Sequence, residues 1–135
     1  MTLTDEKRDQ LTKMALKARL LAYVPYSNYQ VGAALLTKSG EIYTGVNVEN
    51  AAYPVTMCAE RSAVFSAISA GNREFEAIAV ATVNGGTPCG SCRQVLSEFG
   101  LDINVLLIDE GGKLIQQNTV RDLLPGAFQK DDLSV

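Results

Sequence analysis

Three cysteines and one nearby glutamate are the residues of this chain whose types and spacing favour chemistry. Cys58 lies two residues before Glu60, and Cys89 and Cys92 form a C-x-x-C pair directly after Pro88. Three thiolates around one metal ion leave a fourth position open, which is typical of a catalytic rather than a structural zinc site. The chain contains no histidine, so a carboxylate would have to move protons there, and Glu60 is placed to do so.

Each cysteine segment is predicted to begin a helix. Residues 58–70 carry apolar side chains at helical spacing, and a second helix is predicted from Cys89 to Gly100. Cys89 and Cys92 would then lie one turn apart on the same face. The unpaired amide groups and the dipole at a helix start favour a thiolate over a thiol. If the two helix starts converge, three thiolates would surround one metal ion and leave one position for water.

The charge of such a cluster predicts a cation beside it. Three thiolates outweigh the charge of one zinc ion, so the cluster is expected to be net negative. Arg61 and Arg93 each follow a site residue directly in the sequence. We hypothesise that Arg61 donates hydrogen bonds to the cysteine sulfurs and offsets this charge.

The C-x-x-C pair alone has a second interpretation. A cysteine pair at a helix start after a strand is also typical of thioredoxin-like redox proteins. The third cysteine at another helix start, the acid two residues beyond it and the proline before the pair favour zinc hydrolysis. The redox interpretation would require a dispensable Glu60 and a Cys89–Cys92 couple that cycles with reductants.

Length and composition are those of one ordinary globular domain, expected to span residues 1–135. The chain is 47% hydrophobic and 20% charged, which suits a single core without stapling. A net charge of −3 and the lack of a basic run argue against a nucleic acid partner. No apolar run approaches a membrane span, and residues 1–10 do not resemble a signal peptide. An odd cysteine count without a secretory signal predicts a cytoplasmic protein.

The remaining pattern predicts an α/β fold. A first helix is predicted from Thr4 to Ala22, ended by Pro25, with one apolar face on a core. Thr119 is predicted to cap a last helical turn through Leu124. Five strands are predicted, over residues 31–37, 41–48, 76–83, 103–108 and 113–117, the last of them short and exposed. This order predicts a central sheet with helices on its faces.

Two further segments carry weaker signals. Residues 23–29 form a loop rich in aromatic side chains, which serve either as core plugs or as ligand walls. Asn47 and Glu49 lie at the end of the second strand and can hydrogen-bond hydroxyl groups, although such residues at a strand end are usually solvated. The pattern alone leaves both functions open.

At these residues the chain resembles a known family. Cys58-Ala59-Glu60 together with Pro88-Cys89-x-x-Cys92 resembles the zinc-dependent cytidine deaminases, in which a glutamate that is not a ligand acts as general acid and base. The resemblance continues through residues 23–27, 47–53 and 123–128. It is to the small homotetrameric enzymes that act on free nucleosides. It implies a three-layer α/β/α sandwich with a central mixed five-stranded sheet.

The resemblance also implies a role for each residue of the cysteine segments. Cys58, Cys89 and Cys92 would bind one zinc ion per chain. Glu60 would take a proton from the attacking water and pass protons to ring N3 and to the leaving amine. The reaction so implied is hydrolytic deamination of cytidine and deoxycytidine to uridine and deoxyuridine, with release of ammonia, in pyrimidine salvage.

Substrate contacts are implied in the same way. Asn47 and Glu49 would hydrogen-bond the ribose hydroxyls, and the backbone around Ala59 would contact the pyrimidine edge. Tyr29 lies where many relatives have a phenylalanine that packs on the base, so the aromatic wall is kept with an added hydroxyl. Tyr53 and Phe128 resemble residues that complete a neighbouring subunit's pocket, which implies a homotetramer as the active form. The residues with an implied substrate contact are therefore Tyr29, Asn47, Glu49, Tyr53, Ala59 and Phe128.

Other classes of substrate fit the sequence less well than a free nucleoside. An aminohydrolase of the blasticidin type shares the zinc motifs and is the alternative, although Asn47 and Glu49 together favour a free nucleoside. An editor of polynucleotides fits poorly with a short acidic chain. A 5'-nucleotide substrate would call for a basic cluster to receive the phosphate, and none is evident in the sequence.

Overall fold

The structure of the protein, a computed structural model, describes residues 3–133. The expected domain bounds, 1–135, therefore extend beyond the described residues at both ends. The helices are α1 (Asp5–Arg19), α2 (Ala59–Ser69), α3 (Gly90–Phe99) and α4 (Val120–Leu123), with short 3-10 turns at Tyr53–Val55 and Lys130–Leu133. The strands are β1 (Gly32–Thr37), β2 (Ile42–Val46), β3 (Phe75–Ala81), β4 (Asn104–Ile108) and β5 (Leu114–Thr119).

The five strands form one mixed sheet in the order β2-β1-β3-β4-β5. Strand β1 is antiparallel to both β2 and β3, β3 is parallel to β4, and β4 is antiparallel to β5. Because β1 is antiparallel to both of its neighbours, β2 and β3 run in the same direction. Helix α2 follows β2 and helix α3 follows β3, so both helices begin at the same edge of the sheet. Ligand sites of open α/β sheets occur at this edge.

Helices cover both faces of the sheet, and the central strands feed two cores because successive side chains of a strand alternate in direction. On one face, Leu35 and Ile78 pack with side chains of α2 and α3, including Val64 and Leu96. On the other face, Leu36, Leu106 and the alanines of β3 pack with α1. The expected three-layer α/β/α sandwich with a mixed five-stranded sheet is confirmed. Within residues 3–133, no helix combines the length and the apolar character needed to span a bilayer.

Gly45 on β2 allows α2 to approach the sheet to backbone contact. A Cβ atom at this position would lie 2.4 Å from the amide nitrogen of Ala63 and 2.5 Å from the carbonyl oxygen of Ala59. Both distances are far inside van der Waals contact, so only glycine fits there. Since Ala59 opens α2, Gly45 sets how closely the first turn of that helix lies on the sheet.

Helix α1 ends at Arg19 rather than at residue 22, so the predicted helix end is wrong. Beyond it, the backbone of Tyr23 pairs with the second strand's extension. Its amide donates to the carbonyl of Asn47 at 3.0 Å, and its carbonyl accepts from the amide of Glu49 at 2.9 Å. These bonds require an extended chain and so exclude another helical turn. Leu21, which was expected on the core face, is consequently 77% exposed.

Candidate active site

The three cysteine sulfurs converge at the sheet edge where α2 and α3 begin. Cys58 and Cys89 are the capping residues directly before these helices, both in extended conformation, and Cys92 lies in the first turn of α3. The Sγ atoms lie within 4.8 Å of one another. The distance is 3.9 Å between Cys58 and Cys89 and 3.5 Å between Cys89 and Cys92. In residues 3–133 this is the only cluster of its kind able to hold a metal ion.

The spacing and chemistry of the sulfurs fit a zinc ion. Zinc–sulfur bonds of about 2.3 Å in tetrahedral geometry place two ligand sulfurs about 3.8 Å apart. The two sulfur–sulfur distances, 3.9 and 3.5 Å, lie on either side of that value. Within the described part of the chain, the cluster has three soft donors and no fourth ligand, which leaves one coordination position open, as catalytic zinc requires.

The local field at the cluster favours a thiolate at Cys58. Nη2 of Arg61 donates to Sγ of Cys58 at 3.2 Å, which is the contact hypothesised from the sequence. The pKa of Cys58 is lowered to about 5, first by a hydrogen bond from the Cys92 thiol and also by Arg61. The same interaction with Cys58, together with burial, raises the pKa of Cys92. A thiolate is the form that binds metal.

Arg93, the second cation next to a site residue, holds backbone instead of sulfur. Its Nε donates to the carbonyl of Pro88 and its Nη1 to the carbonyl of Leu123, each at 2.8 Å. Arg93 thereby fixes the loop before Cys89 against the end of α4. No sequence signal distinguished this role from that of Arg61.

A pocket of about 230 Å³ opens beside the sulfurs. Glu60 and Ala59, from the first turn of α2, lie in its wall next to Cys58 and Cys89. Glu60 is only 5% exposed, and this burial raises the pKa of its carboxyl. The full lining is Tyr29, Val31, Asn47, Thr56, Met57, Cys58, Ala59, Glu60, Val80, Thr82, Gly86, Thr87 and Cys89. The structure thus places a buried acid and two sulfurs around one small cavity.

Asn47 lines this pocket and also holds the segment opposite α2. Its Oδ1 accepts from the amide of Val31 at 2.9 Å, and its Nδ2 donates to the carbonyl of Tyr29 at 2.8 Å. A side-chain amide has two donor hydrogens and two acceptor lone pairs. One of each therefore remains on Asn47 for a ligand.

Glu49 lies outside the pocket lining and holds the aromatic loop. Its Oε1 accepts from the amides of Tyr26 and Ser27 at 2.9 and 3.1 Å, and its Oε2 accepts from the Ser27 hydroxyl. The Ser27 hydroxyl bond is the main cause of a lowered pKa at Glu49. A carboxylate has about four lone-pair sites, so one is left for a hydroxyl of a ligand.

Tyr53 and Phe128 do not contribute to the pocket of their own chain. They are 72% and 57% exposed, and neither is among the lining residues. Tyr53 makes an edge-to-face contact with Tyr26, with ring centroids 5.9 Å apart. Both rings are therefore available to another molecule.

Several lining residues carried no clear signal in the sequence. Thr82, directly after β3, is buried, and its hydroxyl accepts from the amide of Gly86 at 2.9 Å. The only signal in the sequence is a threonine near the end of the apolar run predicted as a strand over residues 76–83. Met57 and Thr87 precede the cysteine segments by one or two positions and read as ordinary loop residues.

Three comparisons with known proteins agree with this geometry. The model of the cytidine and deoxycytidylate deaminase zinc-binding region matches residues 5–108. A cytidine deaminase of Sporosarcina psychrophila is 51% identical over 129 residues, 93% of this chain and 94% of that protein. A blasticidin-S deaminase of Bacillus cereus is 36% identical over 115 residues, 78% of this chain and 81% of that protein.

The fold gives the same answer. The crystal structure of a cytidine deaminase from Burkholderia pseudomallei is similar over 93% of this chain and 100% of that chain, with 46% identity and a TM-score of 0.85. The part of the chain that matches the family model, residues 5–108, includes the three cysteines of the sulfur cluster and Glu60. On this sequence, this cluster and this fold, the chain belongs to the zinc-dependent cytidine and deoxycytidylate deaminase family.

Proposed function

We propose that the protein is a zinc-dependent hydrolase that converts cytidine and deoxycytidine to uridine and deoxyuridine and releases ammonia. The observation that carries this proposal is the placement of the three-sulfur cluster and the buried Glu60 at one pocket of about 230 Å³. The metal and the acid are the two parts that hydrolytic deamination requires. The close similarity to cytidine deaminases over nearly the whole chain supports the choice of substrate.

The chain's own residues perform the proton transfers. Cys58, Cys89 and Cys92 would hold the zinc ion, which when bound would supply Lewis-acid activation of water. Glu60 takes a proton from the attacking water and delivers it to ring N3. As a C4–O bond replaces the C4–N bond, the same carboxyl passes the second proton of water to the amine, which leaves as ammonia. One water is consumed for each ammonia released.

The pocket lining favours a nucleoside over a 5'-nucleotide. Among residues 3–133, no lysine or arginine lines the cavity, whereas a phosphate group is ordinarily held by such side chains. Asn47 retains one donor and one acceptor, and Glu49 retains one lone pair. These groups suit ribose hydroxyls, so we assign the sugar to this side of the pocket.

A blasticidin-type substrate is the second candidate. Its support is the 36% identity to a blasticidin-S deaminase, which is lower and covers less of the chain than the 51% identity to a cytidine deaminase. The ribose-directed groups on Asn47 and Glu49 favour the nucleoside. Blasticidin S therefore belongs in the assay as a competing substrate.

The test is ultraviolet loss of cytidine absorbance with purified protein, with zinc counted per chain. Deoxycytidine, deoxycytidine 5'-monophosphate and blasticidin S are run in parallel. Turnover of both nucleosides with about one zinc per chain is the expected result. Zinc without nucleoside turnover would overturn the proposal, and a zinc-free protein with a redox-active Cys89–Cys92 couple would support the thiol-redox alternative.

We also propose that the active form is a homotetramer in which Tyr53 and Phe128 complete a neighbouring pocket. Their exposure supports this, because neither ring contributes to its own pocket and aromatic residues are enriched in protein–protein interfaces. Phe128→Ala and Glu60→Gln chains are each expected to be inactive alone. Mixed assemblies should regain activity, since a Glu60→Gln chain can lend Phe128 to an intact neighbouring site. Light scattering of the purified protein gives the number of chains, and a monomer with full activity would contradict this assembly.

Arg61 is proposed to stabilise the loaded cluster through its contact with Cys58. Arg61→Gln is expected to weaken zinc retention or turnover by about 10- to 100-fold, because groups that contact metal ligands commonly contribute that much. Competition with a zinc chelator measures retention independently of turnover. Arg73→Gln, at an exposed arginine away from the sulfurs, is the control. Unchanged metal content and unchanged turnover would show that Arg61 has no such role.

The three cysteines support a reducing compartment. All three are free thiols in the structure, and thiols kept for metal persist where disulfides are reduced. We propose that the protein acts in the cytoplasm, as a salvage enzyme for pyrimidine nucleosides.

A further inference from the structure

The hydroxyl of Tyr29 ties the aromatic wall of the pocket to the loop that leads to Cys89. The backbone of Tyr29 is already held, since its amide donates to the Ser27 hydroxyl and its carbonyl accepts from Asn47. Its side chain is held separately, because Oη donates to Oδ1 of Asn84 at 3.1 Å. Tyr29 lines the pocket, whereas Asn84 does not.

Asn84 is itself anchored to the sheet. The hydroxyl of Thr82 donates to Oδ1 of Asn84 at 3.3 Å and accepts from the amide of Gly86 at 2.9 Å. The backbone of Asn84 pairs with Asp109 directly after β4. The hydrogen bonds from Gly86 through Thr82 to Asn84 therefore give the Tyr29 hydroxyl a fixed partner.

The space above the Tyr29 hydroxyl is left open by a glycine. A Cβ atom at Gly86 would lie 3.0 Å from Oη of Tyr29 and 3.3 Å from Oδ1 of Asn84. Both contacts are tight enough that a side chain would press on the hydrogen bond between them. The absence of a side chain at position 86 thus fits a built contact between Tyr29 and Asn84.

We propose that Asn84 is a positioning residue that acts through Tyr29, fixing this aromatic residue of the pocket wall against the pyrimidine and so setting the affinity for the nucleoside. This inference rests on the proposed function and extends it to a residue outside the pocket. A ring that touches the base but not the reacting atoms contributes about equally in the ground state and the transition state. A less ordered ring is therefore expected to raise KM and to leave kcat unchanged.

The test is a double-mutant cycle on Tyr29→Phe and Asn84→Ala. Each single variant removes one partner of the hydrogen bond and should raise KM for cytidine by about 2- to 10-fold, the range of one net hydrogen bond. We expect kcat to stay within about twofold of the wild type. The KM of the double variant should be no higher than that of the more impaired single variant. Asn84→Asp, which keeps an acceptor oxygen, should retain a KM near that of the wild type.

A readout without turnover accompanies the kinetics. Calorimetric binding of uridine, the expected product, should weaken in Tyr29→Phe and Asn84→Ala by the same factor as KM rises. Zinc content should stay at about one per chain in both. Tyr23→Phe is the matched control, because it also removes the hydroxyl of an exposed tyrosine, one that does not line the pocket.

The outcomes separate this inference from the proposed function. If the wild type turns over cytidine but the two variants keep its KM and its uridine affinity, the role of Asn84 is wrong and the function stands. Additive effects in the double variant would likewise show that Tyr29 and Asn84 act independently. A wild type that neither turns over cytidine nor binds uridine would overturn the proposed function and this inference with it.

Discussion

Glu60→Gln is expected to lower the turnover of cytidine by at least about 10⁴-fold while the chain keeps about one zinc ion. Each general acid–base step contributes roughly 10²- to 10⁴-fold, and the proposed reaction routes two proton transfers through this one carboxyl. Glutamine has nearly the same shape, so the packing of this buried side chain should survive. The sulfurs of the metal cluster are untouched by the change.

The loss is measured by ultraviolet assay, and the metal is counted in the same preparation. Glu98→Gln is the matched control, since it removes an exposed carboxylate from α3, outside the pocket. The control should turn over cytidine like the wild type. A Glu60→Gln enzyme within about tenfold of the wild type would mean that another group carries the protons.

Removing a sulfur should abolish both metal binding and activity. Cys89→Ala and Cys92→Ala each leave two of the three donors, and two sulfurs cannot provide the three protein ligands of a catalytic zinc site. Zinc content is expected to fall well below one per chain, with no detectable deamination. The two variants are complementary because Cys89 is exposed whereas Cys92 is buried, so a folding defect in one need not recur in the other.

Elemental analysis after dialysis gives the metal content of these variants, and circular dichroism reports whether they remain folded. Ser91→Ala, which lies between the two cysteines on an exposed face of α3, should keep both zinc and activity. A folded Cys89→Ala protein that still held about one zinc per chain would place the ligands elsewhere.

The layers and the site elements could be predicted because their signals are local and strong. The apolar run of β3 requires cover on both faces, and the structure buries nearly all of that strand. The helix starts at Cys58 and Cys89 are predicted from the pattern of the residues around them. Their convergence follows from topology, since β2 and β3 run in the same direction and deliver α2 and α3 to one sheet edge.

The parts that could not be predicted depend on partners distant in sequence. The end of α1 is decided by backbone pairing between Tyr23 and residues 47–49, which no periodicity within the helix reveals. Glu49 has the type expected of a ligand-binding residue, yet most of its capacity is used to hold Tyr26 and Ser27. The contact between Tyr29 and Asn84 joins two loop residues 55 positions apart, and no local pattern in the sequence pairs them.

Gly45 affects the geometry of the pocket although it does not line the cavity. The strand backbone lies directly under the first turn of α2, with no room for a single methyl group. Any larger residue there would shift Ala59 and Glu60 relative to the sulfurs of α3, although the identity of every lining residue would stay the same. A substitution on the strand beneath α2 could therefore change the position of the catalytic side chains. Comparisons restricted to residues that line the cavity would not detect such a change.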